Sequence, residues 1–215
     1  MEHEPELREF TISSVRELGL TIGENHAEQF MRYLTLLIEW NKSINLTAII
    51  DPKEIIIKHF IDSLAALAAT SFPQDCGVLD VGSGGGFPGI PLKIMRSDMR
   101  VVLVEPVQKK CSFLNSVIGQ LKLHDVSTFA GTIEQYTRRP INQVIDTIVL
   151  RALKYEEIRK YIPALLMSKG KLVLYRTEAI KEEEIGEGFH LVSETAFLLP
   201  QGLGTRVITV MEKNG

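Results

Sequence analysis

The sequence predicts a doubly wound α/β sheet fronted by a helical cap, and three observations carry that expectation. From Gly77 onward, short apolar runs alternate with helix-like stretches. A glycine-rich segment at residues 79–90, "LDVGSGGGFPGI", directly follows the first of those runs. Before residue 77 no strand pattern occurs, and the first third reads as helix.

Taken in order, residues 24–40 place Phe30, Tyr33, Leu34, Leu37 and Ile38 at the spacing of one helix face, with Gly23 just upstream. A second helix is expected over 52–69, with Asp51 as its N-cap and Pro52 at the first helical position, where a missing N–H costs nothing. Strand-like runs follow at 78–82, 100–105, 126–131, 145–151 and 170–176. Between them, helices are expected at 89–96, 109–122 and 154–167. Apolar strands that need cover on both faces indicate a parallel sheet. The last two runs, 190–200 and 205–213, are joined by "QGLG", which is too short for a crossover, so they should pair antiparallel. The acidic run "KEEEIGEG" at 181–188 reads as a solvated helix end and loop. The expected division is a cap over 1–75 and an α/β unit over 76–215.

Composition narrows the function classes. The 215 residues are 45% hydrophobic, with mean hydropathy +0.07 and net charge −3, which argues against a protein that coats nucleic acid. Residues 41–180 carry 18 Lys/Arg against 13 Asp/Glu, between acidic tails, so a modest basic face is available to phosphates. No stretch has the length of a membrane span and the N-terminus lacks a signal-peptide pattern; a cytoplasmic protein is expected. Cys76 and Cys111 form neither a CxxC nor a Cys/His spacing, so no metal site is expected.

The glycines pose the functional question. Five in twelve residues exceed what a tight strand-to-helix turn needs, and bare backbone at a helix start, with its amides outward, suits a ligand. Two registers fit. Residues 84–89 satisfy GxGxxG, a dinucleotide signature; residues 80–86 satisfy DxGxGxG, the loop of S-adenosyl-L-methionine methyltransferases. Asp80 favours the second, because a carboxylate there would repel a pyrophosphate and attract a cationic amino-acid group. Glu105, ending the second strand, can accept from ribose hydroxyls of either cofactor, and Ile133 in "GTIEQY" can wall an adenine.

Four blocks then carry a resemblance: "WNKSINLTAIIDPKEIIIKHFIDSL" (40–64), "LDVGSGGGFPGIPLKI" (79–94), "KKCSFLNSV" (109–117) and "LRAL" (150–153). In this order, over nearly the whole chain, they resemble the bacterial RsmG (GidB) family, which methylates N-7 of one guanine in the decoding-region loop of 16S ribosomal RNA. The resemblance implies a class I methyltransferase: Rossmann-like, with a seven-stranded, mostly parallel sheet, an antiparallel last strand and an N-terminal helical cap. It implies S-adenosyl-L-methionine as cofactor, 16S rRNA or the small ribosomal subunit as partner, and a set of site residues carried over by position. Asp80, Gly82, Ser83, Gly84, Gly86, Phe87, Glu105, Ile133, Glu134 and Arg151 fall to the cofactor, and Lys58, His59, Arg176 and Arg206 to RNA. Relatives commonly carry Arg where this chain has Thr132, and "LKG" where it has "YRT" at 175–177.

The residues also bear on the reaction. No [DN]PP[FY] tetrapeptide of exocyclic-amine methylation occurs, and neither cysteine follows a proline. Guanine N-7 has a free lone pair and loses no proton, so the expected requirement is alignment, with Arg151 positioning cofactor and target and no general base. His59 and Asp62 could alternatively form a local contact holding cap to sheet, and Trp40 reads as a core anchor. No apolar surface stripe demands a partner, so a monomer is expected. Two rival readings are a nicotinamide-dependent oxidoreductase and a non-catalytic ribosome-binding factor.

Overall fold

The computed structural model describes residues 3–140 and 143–215. Helices α1 (Glu4–Glu17) and α2 (Glu24–Ile44) lead into one long helix built of α3 (Pro52–Ile55), a π-helical turn (Ile56–Ile61) and α4 (Asp62–Ala69). The side chain of Asp51 caps that helix, accepting from the Glu54 amide at 2.9 Å. Then come β1 (Gly77–Val81), α5 (Gly89–Met95), β2 (Arg100–Glu105), α6 (Gln108–Gln120), β3 (Val126–Ala130), α7 (Ile133–Thr137) and β4 (Thr147–Arg151). The chain closes with α8 (Tyr155–Ile158), α9 (Ile162–Leu165), β5 (Lys171–Arg176), β6 (Phe189–Leu198) and β7 (Thr205–Lys213).

All seven strands join one sheet in the order β3-β2-β1-β4-β5-β7-β6. Five are parallel; β7 runs antiparallel to both β5 and β6, as the short "QGLG" link requires. The strand order reverses between β1 and β4, which leaves a crevice at their carboxyl ends. The cap helices share one buried apolar cluster with α5, α6 and a face of the sheet. Its aromatic centre is Tyr33, whose ring lies 5.1 Å from Phe60, 5.6 Å from Phe87 and 6.4 Å from Phe113, with Trp40 5.7 Å from Phe113. Trp40 is thus a core anchor, as expected.

One expectation about the elements needs correction. Residues 154–167 are not one helix: α8 and α9 are single turns separated by a 3-10 turn at Arg159–Tyr161, and Pro163, lacking an N–H, sits where a continuous helix would need a donor. Helix α1, which had no strong apolar signature, buries Thr11 and Ser14 alongside Leu7, Ile12 and Val15.

Glycine positions separate packing from freedom. Gly86 has φ +94°, and a Cβ there would lie 2.6 Å from both Ile90 Cδ1 and Tyr33 Oη, whereas nothing stands within 4 Å of Gly119 on α6. Gly86→Ala should therefore destabilise the protein by roughly 2–4 kcal/mol, from a left-handed backbone and overpacking together. Gly119→Ala should stabilise it by about 0.5–1 kcal/mol through lost unfolded-state entropy. Urea unfolding of both variants checks the opposite signs.

Candidate active site

The glycine loop joins β1 to α5 and is pressed from both sides. Tyr33 Oη donates to the Gly85 carbonyl, which docks α2 of the cap onto the loop. On the sheet side, a Cβ at Gly89 would lie 2.6 Å from Leu103 and 2.8 Å from Asp80 Oδ2. Most of the glycines are thus explained by the protein's own close packing. Gly84 differs: at φ +56° its missing Cβ would meet nothing nearer than the Gly82 carbonyl at 3.9 Å.

The loop amides do not point outward, contrary to expectation. Those of Gly82 and Ser83 both donate to the Val104 carbonyl, at 2.8 and 3.1 Å, and those of Gly86 and Phe87 to the Ser83 carbonyl. The Gly84 amide donates to Glu105 Oε2 at 2.8 Å and the Gly89 amide to Asp80 Oδ2 at 2.8 Å. A pyrophosphate site relies on free amides at such a turn; here those of Gly82, Ser83, Gly84, Gly86, Phe87 and Gly89 are spent on the Val104 and Ser83 carbonyls and on two carboxylates. That geometry removes the support for the dinucleotide register.

The two carboxylates sit side by side on β1 and β2. Glu105 also accepts from the Val107 amide at 2.9 Å, and each of its oxygens retains a second lone pair. Asp80 is fully buried; its Oδ1 is one of three buried side-chain polar atoms without a partner among the described residues. Ser83 Oγ donates to the Asp80 carbonyl at 3.0 Å. Burial pushes the Asp80 carboxyl up to about 7, against the pull of the Gly89 amide and the Arg151 guanidinium. The orphaned Oδ1 and the open face of Gly84 are the features that internal packing leaves unexplained. Both fit a cofactor carrying a cationic group, with polar groups along its length.

Across from the loop lies a cavity of about 850 Å³ lined by Lys58, His59, Asp62, Arg151, Arg176 and Arg206, among others. Arg151 ends β4; its guanidinium stacks 5.1 Å from the centroid of Phe87 and donates to the Lys58 carbonyl at 3.0 Å, Asp62 Oδ2 at 2.9 Å and His59 Nδ1 at 3.1 Å. The imidazole of His59 stacks on the same ring, 4.6 Å away, and its Nε2 lies 2.7 Å from Thr47 Oγ1. Burial, then the Arg151 charge, lowers the His59 pKa to about 3. The ring is therefore neutral, and because Arg151 can only donate, Nδ1 accepts and Nε2 carries the proton. No His59–Asp62 bond forms; the two side chains meet through Arg151 instead.

Every basic side chain assigned to this cavity has a carboxylate partner. Lys58 pairs with Glu54 at 2.9 Å, Arg176 with Glu184 at 3.0 Å, and Arg206 with Asp62. After Arg151 the chain takes a left-handed step at Ala152, φ +60°, which lays Leu153 over the glycine loop, so close that a Cβ at Gly82 would lie 2.4 Å from its Cδ1. At the far side, Ile133 is buried under α7 while Glu134 is exposed and paired with Arg138 at 2.6 Å. Thr132 caps α7: its hydroxyl accepts from the Gln135 amide at 3.2 Å and Gln135 Oε1 accepts from its amide at 2.9 Å. Both thiols are buried, Cys76 pushed up to about 11, so neither is an activated nucleophile. Among the described residues no helix is long and apolar enough to cross a membrane, and no cluster of His, Cys, Asp and Glu could hold a metal ion.

A parallel sheet closed by a reversed β7, with carboxylates at the ends of β1 and β2 and a glycine turn between them, defines a class I methyltransferase. Residues 26–196 match the family model described as rRNA small subunit methyltransferase G. The chain is 38% identical over 172 residues to Ribosomal RNA small subunit methyltransferase G of Desulforamulus reducens, covering 79% of this chain and 72% of that protein. It is 31% identical over 213 residues to the protein of the same name from Staphylococcus aureus strain JH9, covering 95% and 89%. Among solved structures, MtNAS in complex with MTA and tNA superposes with a TM-score of 0.61 at 16% identity, over 100% of this chain and 88% of that one, a likeness of fold. The chain belongs to the rRNA small subunit methyltransferase G family, as its four sequence blocks implied.

The buried Asp80 has a consequence for stability. An acid with a higher pKa folded than unfolded holds its proton more tightly in the native state. Its contribution is complete below the ordinary value of 3.8 and is lost as pH rises through about 7. Urea titrations from about pH 4 to pH 8 should show wild-type stability falling relative to Asp80→Asn; parallel profiles for the two proteins would refute the assignment.

Proposed function

We propose that this chain, acting as a monomer, methylates N-7 of one guanine in the decoding-region loop of 16S ribosomal RNA, with residues 1–75 as cap and 76–215 as the cofactor-binding unit. Its cofactor is S-adenosylmethionine, which supplies a methyl group on a cationic sulfur. One observation carries the reading: a glycine loop with most of its amides already spent and two carboxylates beside it adjoins an arginine-lined cavity. Such a loop suits a cation better than a phosphate, and such a cavity suits a polyanion.

In this reading Asp80, ionised by the approach of a cationic ligand, takes its ammonium end, and Glu105 takes the ribose hydroxyls. Gly84, beside Ser83, forms the open floor, while Gly82 and Gly86 shape the loop by letting Leu153, Ile90 and Tyr33 close against it; Phe87 supports Arg151, and Ile133 and Glu134 flank the adenine. Lys58, His59, Arg176 and Arg206 face the RNA. His59 serves as a neutral, doubly hydrogen-bonded wall rather than a base, which suits an acceptor nitrogen that has no proton to lose. Methyl transfer moves a positive charge from sulfur to purine without a proton changing hands, so alignment supplies the catalysis. Arg151, held from three sides, is the aligning group.

The test is mass spectrometry of 16S rRNA from cells with and without the gene. One methylguanine should vanish at a single base and return when purified protein and cofactor are added to the RNA or to small subunits. Retention of every methyl group would remove the reading. In the reconstituted assay, Arg151→Ala should lower kcat/KM on the order of a hundredfold, the scale of a mispositioned reactant.

A further inference from the structure

Asp62 lies on α4 of the cap with no exposed surface, and nothing in the sequence resemblance assigned it a role in cofactor or RNA binding. Its carboxylate accepts from two arginines that arrive on different strands. Arg206, at the start of β7, forks onto it through Nε to Oδ1 at 2.5 Å and Nη2 to Oδ2 at 2.9 Å. Arg151, at the end of β4, donates Nη1 to the same Oδ2 at 2.9 Å. The two guanidiniums are only 19% and 12% exposed, so water screens their mutual repulsion poorly. A single negative charge between them is what permits both to stand at one wall of the cavity.

The arrangement also leaves donors to spare. A guanidinium carries five N–H groups. Arg151 spends three, on Lys58, Asp62 and His59, and Arg206 spends three, two on Asp62 and one on the Arg176 carbonyl at 3.2 Å. Two remain on each, beside a cavity that both residues line. The net charge of the three groups is +1. The unit offers an anion four N–H donors from side chains that cannot swing, because each is fixed through at least three bonds.

We propose that Asp62 is a positioning residue for methyl transfer: it clamps Arg151 and Arg206 into one preorganised anion-binding pair that seats a backbone phosphate of the RNA at the cavity. The proposal rests on the rRNA reading above. Asp62 touches neither cofactor nor RNA and acts only through the two arginines. Because it belongs to the cap while they belong to the sheet, it also ties correct cap docking to competence for RNA.

The test compares wild type with Asp62→Asn in methyl transfer to small ribosomal subunits, with cofactor Kd measured separately by calorimetry. Loss of the central charge should raise KM for the subunit about tenfold or more, the scale of breaking a buried charge pair, while cofactor Kd stays within about twofold. A purely structural role predicts the contrary: fewer folded molecules lower apparent kcat and leave KM unchanged, and that result overturns the proposal. Should Asp62→Asn not fold, Arg206→Lys probes the same clamp from the other side. It keeps the charge but cannot fork onto both carboxylate oxygens, so KM must again rise at least fivefold; a wild-type KM overturns the proposal. Wild-type protein that transfers no methyl group at all removes the rRNA reading itself, a result distinct from either variant outcome.

Discussion

Tyr33 and strand β2 leave the chain between β1 and α5 a narrow slot, and the loop there can pass only because it lacks side chains. The hydroxyl of Tyr33 reaches the Gly85 carbonyl from the cap, and Leu103 crowds Gly89 from the sheet. Within that slot the amides must find acceptors at once, and Val104, Ser83, Glu105 and Asp80 provide them. One steric constraint thereby fixes two acids near adjacent strand ends, consumes most of the donors that a phosphate would need, and leaves only Gly84 with an open face. The kind of cofactor that suits the site follows from how the loop is packed.

The cap takes part in the same logic from the other side. Its aromatic residues stack on Phe87, which in turn carries both the His59 ring and the Arg151 guanidinium. The Phe87 ring of the loop thus joins the cap, His59 and Arg151 in one stack. Polar groups around that ring are satisfied almost completely, with Arg151 fixing the histidine tautomer, Thr47 Oγ1 accepting from Nε2, and Tyr175 Oη donating to the Ser63 carbonyl at 2.6 Å behind Asp62. Rigid support of this kind is what alignment catalysis requires, since small errors of placement cost rate steeply.

Much of this was legible in the sequence because it rests on local signals. The Asp51–Pro52 helix start, the continuous apolar strands and the short "QGLG" link each constrain the backbone within a few residues, and all three are present as read. The glycine register was legible through Asp80, an acid placed where a cationic group rather than a pyrophosphate would be met. What escaped depends on distant partners. The buried face of α1 includes Thr11 and Ser14, which blur an apolar stripe. The break between α8 and α9 was signalled by Pro163 but masked by apolar neighbours. The loop amides turned inward because the Val104 carbonyl stands on a neighbouring strand, and Asp62 meets arginines 89 and 144 positions away.

The π-helical turn at Ile56–Ile61 has a bearing on chain length. Such turns fit one more residue into a stretch than regular winding would, and they recur where function fixes side-chain direction. His59 lies within the turn and Asp62 immediately after it. The added residue is taken up inside the turn, so α3 and α4 keep nearly one phase across it, and only the side chains of the turn itself, His59 among them, are re-aimed. The segment behaves as a local swivel: it redirects one ring while Asp51 before it and Asp62 after it stay on the faces that unbroken winding would give them.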